Sequence, residues 1–276
     1  MALSDTMRAA EQRLRLSGDE DAGADVTWLM CACMNCKPSG LKHAPEISDE
    51  QRARFENLLA RRENGEPLQY ILGDQPFLDW SFKVDERALI PRPETEELCL
   101  KVLDIMRGMH APRILDIGTG TGAIAVSIAL KRRDARVTAV DISPDALSLA
   151  RENAQMLGAN VEFILSDLLE GVRGRKFDFI VSNPPYLTQD DMAALQKEVR
   201  REPALALYGG EDGLDFYRRI IEGAPDVLNA HGYIAFEVGA GQAGDVSALL
   251  YDAFEQIEIC RDINGVERMV CARRRA

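Results

Sequence analysis

Two patterns of apolar and polar positions divide the chain. In the first, Leu3, Met7, Ala10 and Leu14 recur at helical spacing and predict a helix over residues 3–16. The apolar run from Val26 to Met34 predicts a second helix over about 25–36. Ser48 and Gln51 form a capping box that starts a third, carried by Phe55, Leu58 and Leu59 and stopped near Gly65-Glu66-Pro67. Residues 1–66 therefore read as a small helical N-terminal domain. Tyr70-Ile-Leu-Gly73 and the alternating run from Phe77 to Val84 predict a short β-hairpin inside a linker, residues 67–92. Pro93 then opens a helix with Glu94, Glu96 and Glu97 in its first turn, where the helix dipole favours negative charge.

From residue 113 the pattern changes. Short apolar runs at 113–117, 136–141, 161–165, 177–182 and 233–238 predict strands. Helices are expected over 121–132, 144–157, 213–228 and 241–254, the second capped by Ser143 and opened by Pro144. Two last strands, about 256–261 and 266–272, are joined by Asn264-Gly265, a hairpin turn signal. This alternation implies an α/β domain over residues 93–276. Its sheet is mostly parallel, covered by helices on both faces, with an antiparallel hairpin at one end.

Composition narrows the function classes. Of 276 residues, 46% are apolar and 28% charged, which suits a folded globular chain. Acidic residues outnumber basic ones, 45 to 33, a net charge of −12 that argues against a general nucleic-acid binder. No apolar run approaches the ~20 residues of a membrane span. Charges at Asp5, Arg8, Glu11 and Arg13 precede any apolar run, so no secretory signal is expected. The six cysteines do not resemble a disulfide framework, and a cytoplasmic location is the natural reading. Cys31, Cys33 and Cys36, with His43 behind them, raise the possibility of zinc. Their spacing lacks a second pair, and in an apolar helix cysteines act as small hydrophobes, so no metal is expected. None of the three histidines lies in a nucleophile motif.

Two loops carry the candidate chemistry. In the first, Gly118-Thr119-Gly120-Thr121-Gly122 joins the strand 113–117 to a helix. Glycines there let the backbone pass close to a ligand, beside the positive end of a helix. With Ala123 the loop also satisfies a dinucleotide spacing, so it does not separate NAD from another nucleoside ligand. Asp141, at the end of the next strand, can accept from both ribose hydroxyls, or it can cap the helix at Ser143. Asp167 and Leu168 fall where an adenine would sit, and Asp116 near the ligand's polar tail. In the second loop, Asn183-Pro184-Pro185-Tyr186 follows an apolar strand. The prolines fix the backbone and remove two N–H donors. The Asn183 side-chain oxygen and the Pro184 carbonyl can then accept from a planar –NH2 group, with Tyr186 as an aromatic face. Such acceptors suit methyl transfer to an amide or exocyclic amine nitrogen.

Together the glycine loop, Asp141 and Asn-Pro-Pro-Tyr resemble class I S-adenosylmethionine-dependent methyltransferases. Leu89-Ile-Pro-Arg-Pro-Glu-Thr-Glu96, Gln69-Tyr70-x-x-Gly73 and Glu202-Pro203…Gly209-Gly210-x-x-Gly213 narrow the likeness to peptide chain release factor glutamine methyltransferases. The resemblance implies a Rossmann-like class I methyltransferase sheet with a small N-terminal helical domain that binds substrate and a linking β-hairpin. It implies methylation of the glutamine in the Gly-Gly-Gln motif of release factors, hence a role in translation termination. S-adenosyl-L-methionine would be held by Gly118, Thr119, Gly120, Thr121, Gly122, Asp141, Leu168 and Asn183. Asn183, Pro184, Pro185 and Tyr186 would hold the glutamine, with Asn183, Pro184 and Tyr186 acting in catalysis. The partner would be a protein, with no membrane and no nucleic-acid substrate. Two other readings remain: an adenine-specific DNA or RNA methyltransferase, which shares Asn-Pro-Pro-Tyr, and a non-catalytic binding protein on the same fold, against which the intact Asp141 and Asn183 argue.

Overall fold

A computed structural model describes residues 3–41 and 46–276. His43, weighed above as a zinc ligand, lies outside the described residues. The chain forms two compact units, residues 1–73 with 196–201, and residues 74–195 with 202–276.

The first unit is helical: α1 (Leu3–Leu16), α2 (Ala22–Met34), α3 (Pro38–Leu41), α4 (Asp49–Glu63) and α5 (Leu68–Leu72). The capping box forms as expected. Ser48 Oγ accepts from the Gln51 N–H at 3.1 Å, and Gln51 Oε1 accepts from the Ser48 N–H at 2.9 Å. Leu14, Val26, Leu29, Met30, Phe55 and Leu59 close one apolar core. Cys31 and Cys33 are buried on α2, where burial pushes both thiols above their ordinary range. Inside this unit Arg62 is buried against three carboxylates, Asp19 at 2.9 Å, Asp25 at 2.5 Å and Glu198 at 2.7 Å. Burial raises the Asp25 carboxyl to about 6, against the pull of Arg62. The segment 196–201 is further held by Lys197, which donates to the Ser17 carbonyl at 2.9 Å.

Tyr70 to Leu72 differ from expectation. They lie in α5, a single turn opened by Pro67 and ended by Gly73 at φ 83°, too short to show helical periodicity. The hairpin is confined to β1 (Asp74–Phe77) and β2 (Trp80–Lys83), with Phe77 opposite Trp80. It belongs to the second unit, where Phe77 and Phe82 join the core around Leu98, Ile124 and Phe179.

The second unit continues through α6 (Pro93–Ile105), β3 (Arg113–Ile117), α7 (Ala123–Lys131), β4 (Arg136–Asp141), α8 (Pro144–Leu157), β5 (Val161–Leu165), β6 (Phe177–Ser182), α9 (Gln189–Ala194), α10 (Asp215–Val227), β7 (Leu228–Glu237), α11 (Ala243–Leu250), β8 (Phe254–Arg261) and β9 (Glu267–Arg274). Seven strands form one sheet in the order β5-β4-β3-β6-β7-β9-β8, in which β9 runs against the direction of the other six. Alternate residues along each strand face opposite sides. Leu115 and Ile180 enter one core with Tyr217 and Phe236, whereas Ile114, Phe179 and Val181 enter the other with Val126 and Val137. From β3 the chain winds outward to β4 and β5, then returns to β6 on the other side. The crevice between β3 and β6 is therefore the topological switch point, where ligands bind in open α/β sheets. Helix α7 starts two residues later than expected because Gly122, at φ 82°, is its N-cap. Among the described residues no helix is long and apolar enough to cross a membrane.

Candidate active site

A cavity of about 360 Å³ opens at the carboxyl ends of β3, β4, β5 and β6. It lies within the ~300–1,000 Å³ of small-molecule sites. Gly118, Gly120, Asp141, Leu168, Asn183, Pro184 and Pro185 line it together. Thr119, Thr121, Gly122 and Tyr186 do not line it, and neither does Asp116.

The glycine loop turns on left-handed backbone at Gly118 and Gly120, with φ of 71° and 55°. A Cβ on Gly118 would meet nothing within 4 Å, and one on Gly120 only the Ala88 side chain at 4.0 Å, so both backbones leave the cavity open beside them. Gly122 has a different role. Its Cβ would fall 3.1 Å from that of Ala150, so it lets α7 and α8 pack closely. The threonines support the loop from below. Thr119 Oγ1 donates to Asp116 at 2.6 Å, and the Thr121 carbonyl accepts from Asn153 at 2.9 Å. Asp116 is fully buried behind the loop, so the expectation that it meets a ligand's polar tail is not realised in this geometry. Burial raises its carboxyl to about 7, opposed by the Thr119 hydroxyl and the Ala125 N–H and reinforced by Asp141.

Asp141 is tied to the backbone through both carboxylate oxygens, while Ser143 itself caps α8 by accepting from the Ala146 N–H. Asp141 Oδ2 accepts from the Gly120 N–H and its Oδ1 from the Ser143 N–H, both at 2.9 Å. Each carboxylate oxygen retains lone-pair capacity, so the group can still accept from a diol. The Asp141 carboxyl is raised by burial, against these backbone donors. Beyond β5, Leu168 adopts φ 47°, and its carbonyl accepts from Ser166 Oγ at 2.8 Å. Asp167 is paired with Arg219 at 2.8 Å. A carboxylate at the end of β4, an apolar wall from Leu168, Ile142 and Ala146, and an open glycine turn make a lining that fits a nucleoside-bearing cofactor.

The Asn-Pro-Pro-Tyr loop is held by segments whose contacts the sequence does not show. Glu202, 5% exposed, accepts from the Ile90 N–H at 3.0 Å and from Arg92 at 2.5 Å. The motifs at 89–96 and 202–203 are thus one ion-paired contact. Leu187 N–H donates to Leu207 at 2.9 Å, and Gly209 N–H to Leu187 at 2.8 Å. A Cβ on Gly209 would lie 2.6 Å from the Pro185 carbonyl, so glycine is required by the approach of two backbones. Gln242 spans the same loop, donating to the Tyr186 carbonyl and accepting from the Gly239 N–H, both at 3.0 Å. The Tyr186 ring packs on the core that contains Tyr217 and Phe236, and burial raises its hydroxyl to about 12.

Behind Asn183 lies a pair that sequence reasoning misses. Asn183 Nδ2 donates to Thr95 Oγ1 at 3.2 Å, and the Thr95 hydroxyl donates to Glu237 at 2.6 Å. In the sequence Thr95 stands inside the motif 89–96, on the first turn of a helix, with nothing local to show what its hydroxyl meets. Glu237 has a signal in the chain: a carboxylate in an otherwise apolar strand is costly unless it has a partner.

Comparison with known proteins agrees with this geometry. Residues 95–211 match the methyltransferase small domain, and residues 5–73 match the PrmC N-terminal domain. The release factor glutamine methyltransferase of Bacillus cereus is 42% identical over 99% of both chains. That of Deinococcus radiodurans is 40% identical, again over 99% of both. Among solved structures, a methyltransferase from Pyrococcus furiosus superposes with a TM-score of 0.57 at 20% identity, covering 80% of this chain and 100% of that one. A 16S rRNA methyltransferase from Thermus thermophilus, in complex with AdoMet and guanosine, gives 0.54 at 17% identity, covering 73% and 50%. These structural likenesses establish the methyltransferase fold, and the full-length sequence identity goes further: the chain belongs to the release factor glutamine methyltransferase family.

Proposed function

We propose that the protein transfers a methyl group from S-adenosyl-L-methionine to the side-chain amide nitrogen of the glutamine in the Gly-Gly-Gln motif of peptide chain release factors. The observation that carries this reading is the position of Asn183 and Pro184 on the same cavity as Gly118, Gly120 and Asp141. A nucleoside site and a pair of acceptors for a planar –NH2 group share one wall.

When bound, the cofactor supplies an electrophilic methyl group carried on a sulfonium. Asp141 would hold the ribose hydroxyls, the turn at Gly118 and Gly120 would leave room for the ligand, and Leu168 would pack against the base. Thr119, Thr121 and Gly122 act one layer back, by shaping that turn. The Asn183 Oδ1 and the Pro184 carbonyl accept the two N–H bonds of the substrate amide. An amide lone pair is delocalised and weakly nucleophilic. Fixing both N–H bonds aims it at the methyl group, and orientation of this kind takes several kcal/mol off a barrier. The proton displaced from nitrogen is acidic once the new C–N bond forms, so it leaves to water without a strong base. Pro185 stiffens the loop, and Tyr186 serves it through its backbone carbonyl and its partly buried ring.

The substrate is a protein loop, which suits a chain of net charge −12 better than a phosphate backbone does. The helical unit, residues 1–66 as read from sequence, serves substrate recognition. A translation factor as substrate places the reaction in the cytoplasm. The test is incubation of the purified protein with radiolabelled S-adenosylmethionine and either a release factor or duplex DNA. Label in release factor, on a Gly-Gly-Gln peptide one methyl heavier, is expected. Label in DNA alone would establish the adenine methyltransferase reading.

A further inference from the structure

We infer that Thr95 and Glu237 are positioning residues that decide which end of the Asn183 side-chain amide faces the cavity. This rests on the reading of Asn183 as an acceptor for the substrate amide.

The sheet register brings the groups together. β6 and β7 run parallel, with Ser182 opposite Phe236, so Asn183 and Glu237 are the next residues out at the carboxyl edge. Thr95 reaches them from the first turn of α6. Thr95 is 5% and Glu237 2% exposed, and neither lines the cavity, so the pair sits behind Asn183 and touches no ligand there.

The sense of the relay follows from the donor inventory. In the ionised form of Glu237, which the Thr95 hydroxyl, Arg268 and the Asn183 amide favour, the carboxylate only accepts. The single hydroxyl proton of Thr95 is committed to Glu237 at 2.6 Å, so Thr95 Oγ1 has only lone pairs left to offer. Asn183 can meet it only with its NH2 end, at 3.2 Å. The Oδ1 end must then point away from the pair. The two ends of an amide have nearly the same shape, so packing alone does not select between them. With the amide reversed, two donors would face the substrate's own N–H groups, and nothing would orient the reacting nitrogen.

The fold keeps a carboxylate here at a cost. Burial raises the Glu237 carboxyl to about 7 and the like charge of Glu94 adds to this, while the Thr95 hydroxyl, Arg268 and the Asn183 amide favour the ionised form. A neutral amide in its place reverses the logic. In Glu237→Gln the new side chain could donate to Thr95, free the Thr95 hydroxyl to donate to Asn183 Oδ1, and so turn the amide around.

The experiment uses the full chain with release factor and S-adenosylmethionine. It measures kcat for Thr95→Val, Thr95→Ser and Glu237→Gln, each alone and combined with Asn183→Ala. Cofactor affinity is followed by calorimetry. Outer partners that orient a functional group typically matter by about 10–100-fold. We expect Thr95→Val and Glu237→Gln to lower kcat in that range with cofactor affinity unchanged, and Thr95→Ser to restore most of it. Combined with Asn183→Ala, neither should cost anything further, because the group they orient is gone. Equal losses with and without Asn183, or no loss in either variant, would overturn the inference and leave the reading of Asn183 intact. Near-normal kcat for Asn183→Ala alone would remove that reading and the inference with it. Should Thr95→Val lose its fold, Glu237→Gln keeps size and shape and carries the same comparison.

Discussion

Gly213 and Tyr186 approach so closely that a Cβ on the glycine would lie 2.3 Å from the Tyr186 carbonyl oxygen. Gln242, which binds that same carbonyl, would lie 2.4 Å away. The glycine also has φ 74°, in the left-handed region. Gly213→Ala therefore meets two obstacles. The conformation alone costs about 1–2 kcal/mol, and the clash forces the Asn-Pro-Pro-Tyr backbone to move. Gly174→Ala is the control, since its φ is 79° and a Cβ there meets nothing within 4 Å. Thermal unfolding should show a larger loss of Tm for Gly213→Ala than for Gly174→Ala, and turnover should fall only in the former. Equal losses would mean that the close approach is unimportant.

Asn183→Ala should leave cofactor binding largely intact and cripple turnover. The loss of one preorganised polar contact at a reacting centre costs about 10²–10³ in rate. Steady-state kinetics with release factor is the measurement, and a kcat within a factor of about two of the parent would take Asn183 out of the chemistry.

Asp141→Ala removes the carboxylate that we propose accepts from the two ribose hydroxyls. Hydrogen bonds to charged groups are worth about 1.5–3 kcal/mol, so affinity for S-adenosylmethionine should fall at least about tenfold. Calorimetric titration reads this directly. The variant also strips the Gly120 and Ser143 N–H groups of their partner. Asp141→Asn, which can still accept, should fall between the two.

Stability should carry the signature of Asp116. Its carboxyl is raised to about 7 by burial, above the ordinary 3.8. A raised pKa in the folded state contributes stability that is complete below the unfolded pKa and is lost as pH rises through the folded one. Between about pH 4 and 7 the parent protein therefore loses this contribution, whereas Asp116→Asn has none to lose. The Tm of the variant minus that of the parent should grow from pH 5 to pH 8. A difference that is flat across this range would show that Asp116 is ionised throughout.

In the helical unit, Arg62→Ala would leave Asp19, Asp25 and Glu198 without their shared cation. Removing one partner of a buried ionic cluster typically costs about 3–5 kcal/mol. Hydrogen exchange of the α2 and α4 amides should accelerate, with the sheet amides unchanged. Uniform acceleration across both units would show instead that they unfold together.

Local chemistry is legible from the chain alone. Ser48 and Gln51 cap a helix through atoms three residues apart, and Gly118 to Gly122 turn the backbone by their own lack of a Cβ, so a short window holds all the information needed. Short apolar runs with intervening helices determine the parallel sheet in the same way. Family motifs can be quoted without their reasons being visible. Glu202 meets Ile90 and Arg92, Gln242 meets Tyr186, and Gly209 meets Pro185, each across dozens of residues. Such partners are chosen by strand order and register, which no local pattern encodes. The same holds for Asn183. Its motif marks it as an acceptor, but only the pairing of β6 with β7 and the entry of α6 place Glu237 and Thr95 behind it. Tertiary structure also decides that Tyr186 lies away from the cavity, where its ring packs on the core of Tyr217 and Phe236 and Gln242 holds its carbonyl, and that Asp116 lies beneath the loop, because the period-two alternation of β3 turns it to the side of Ile114, which packs with α7.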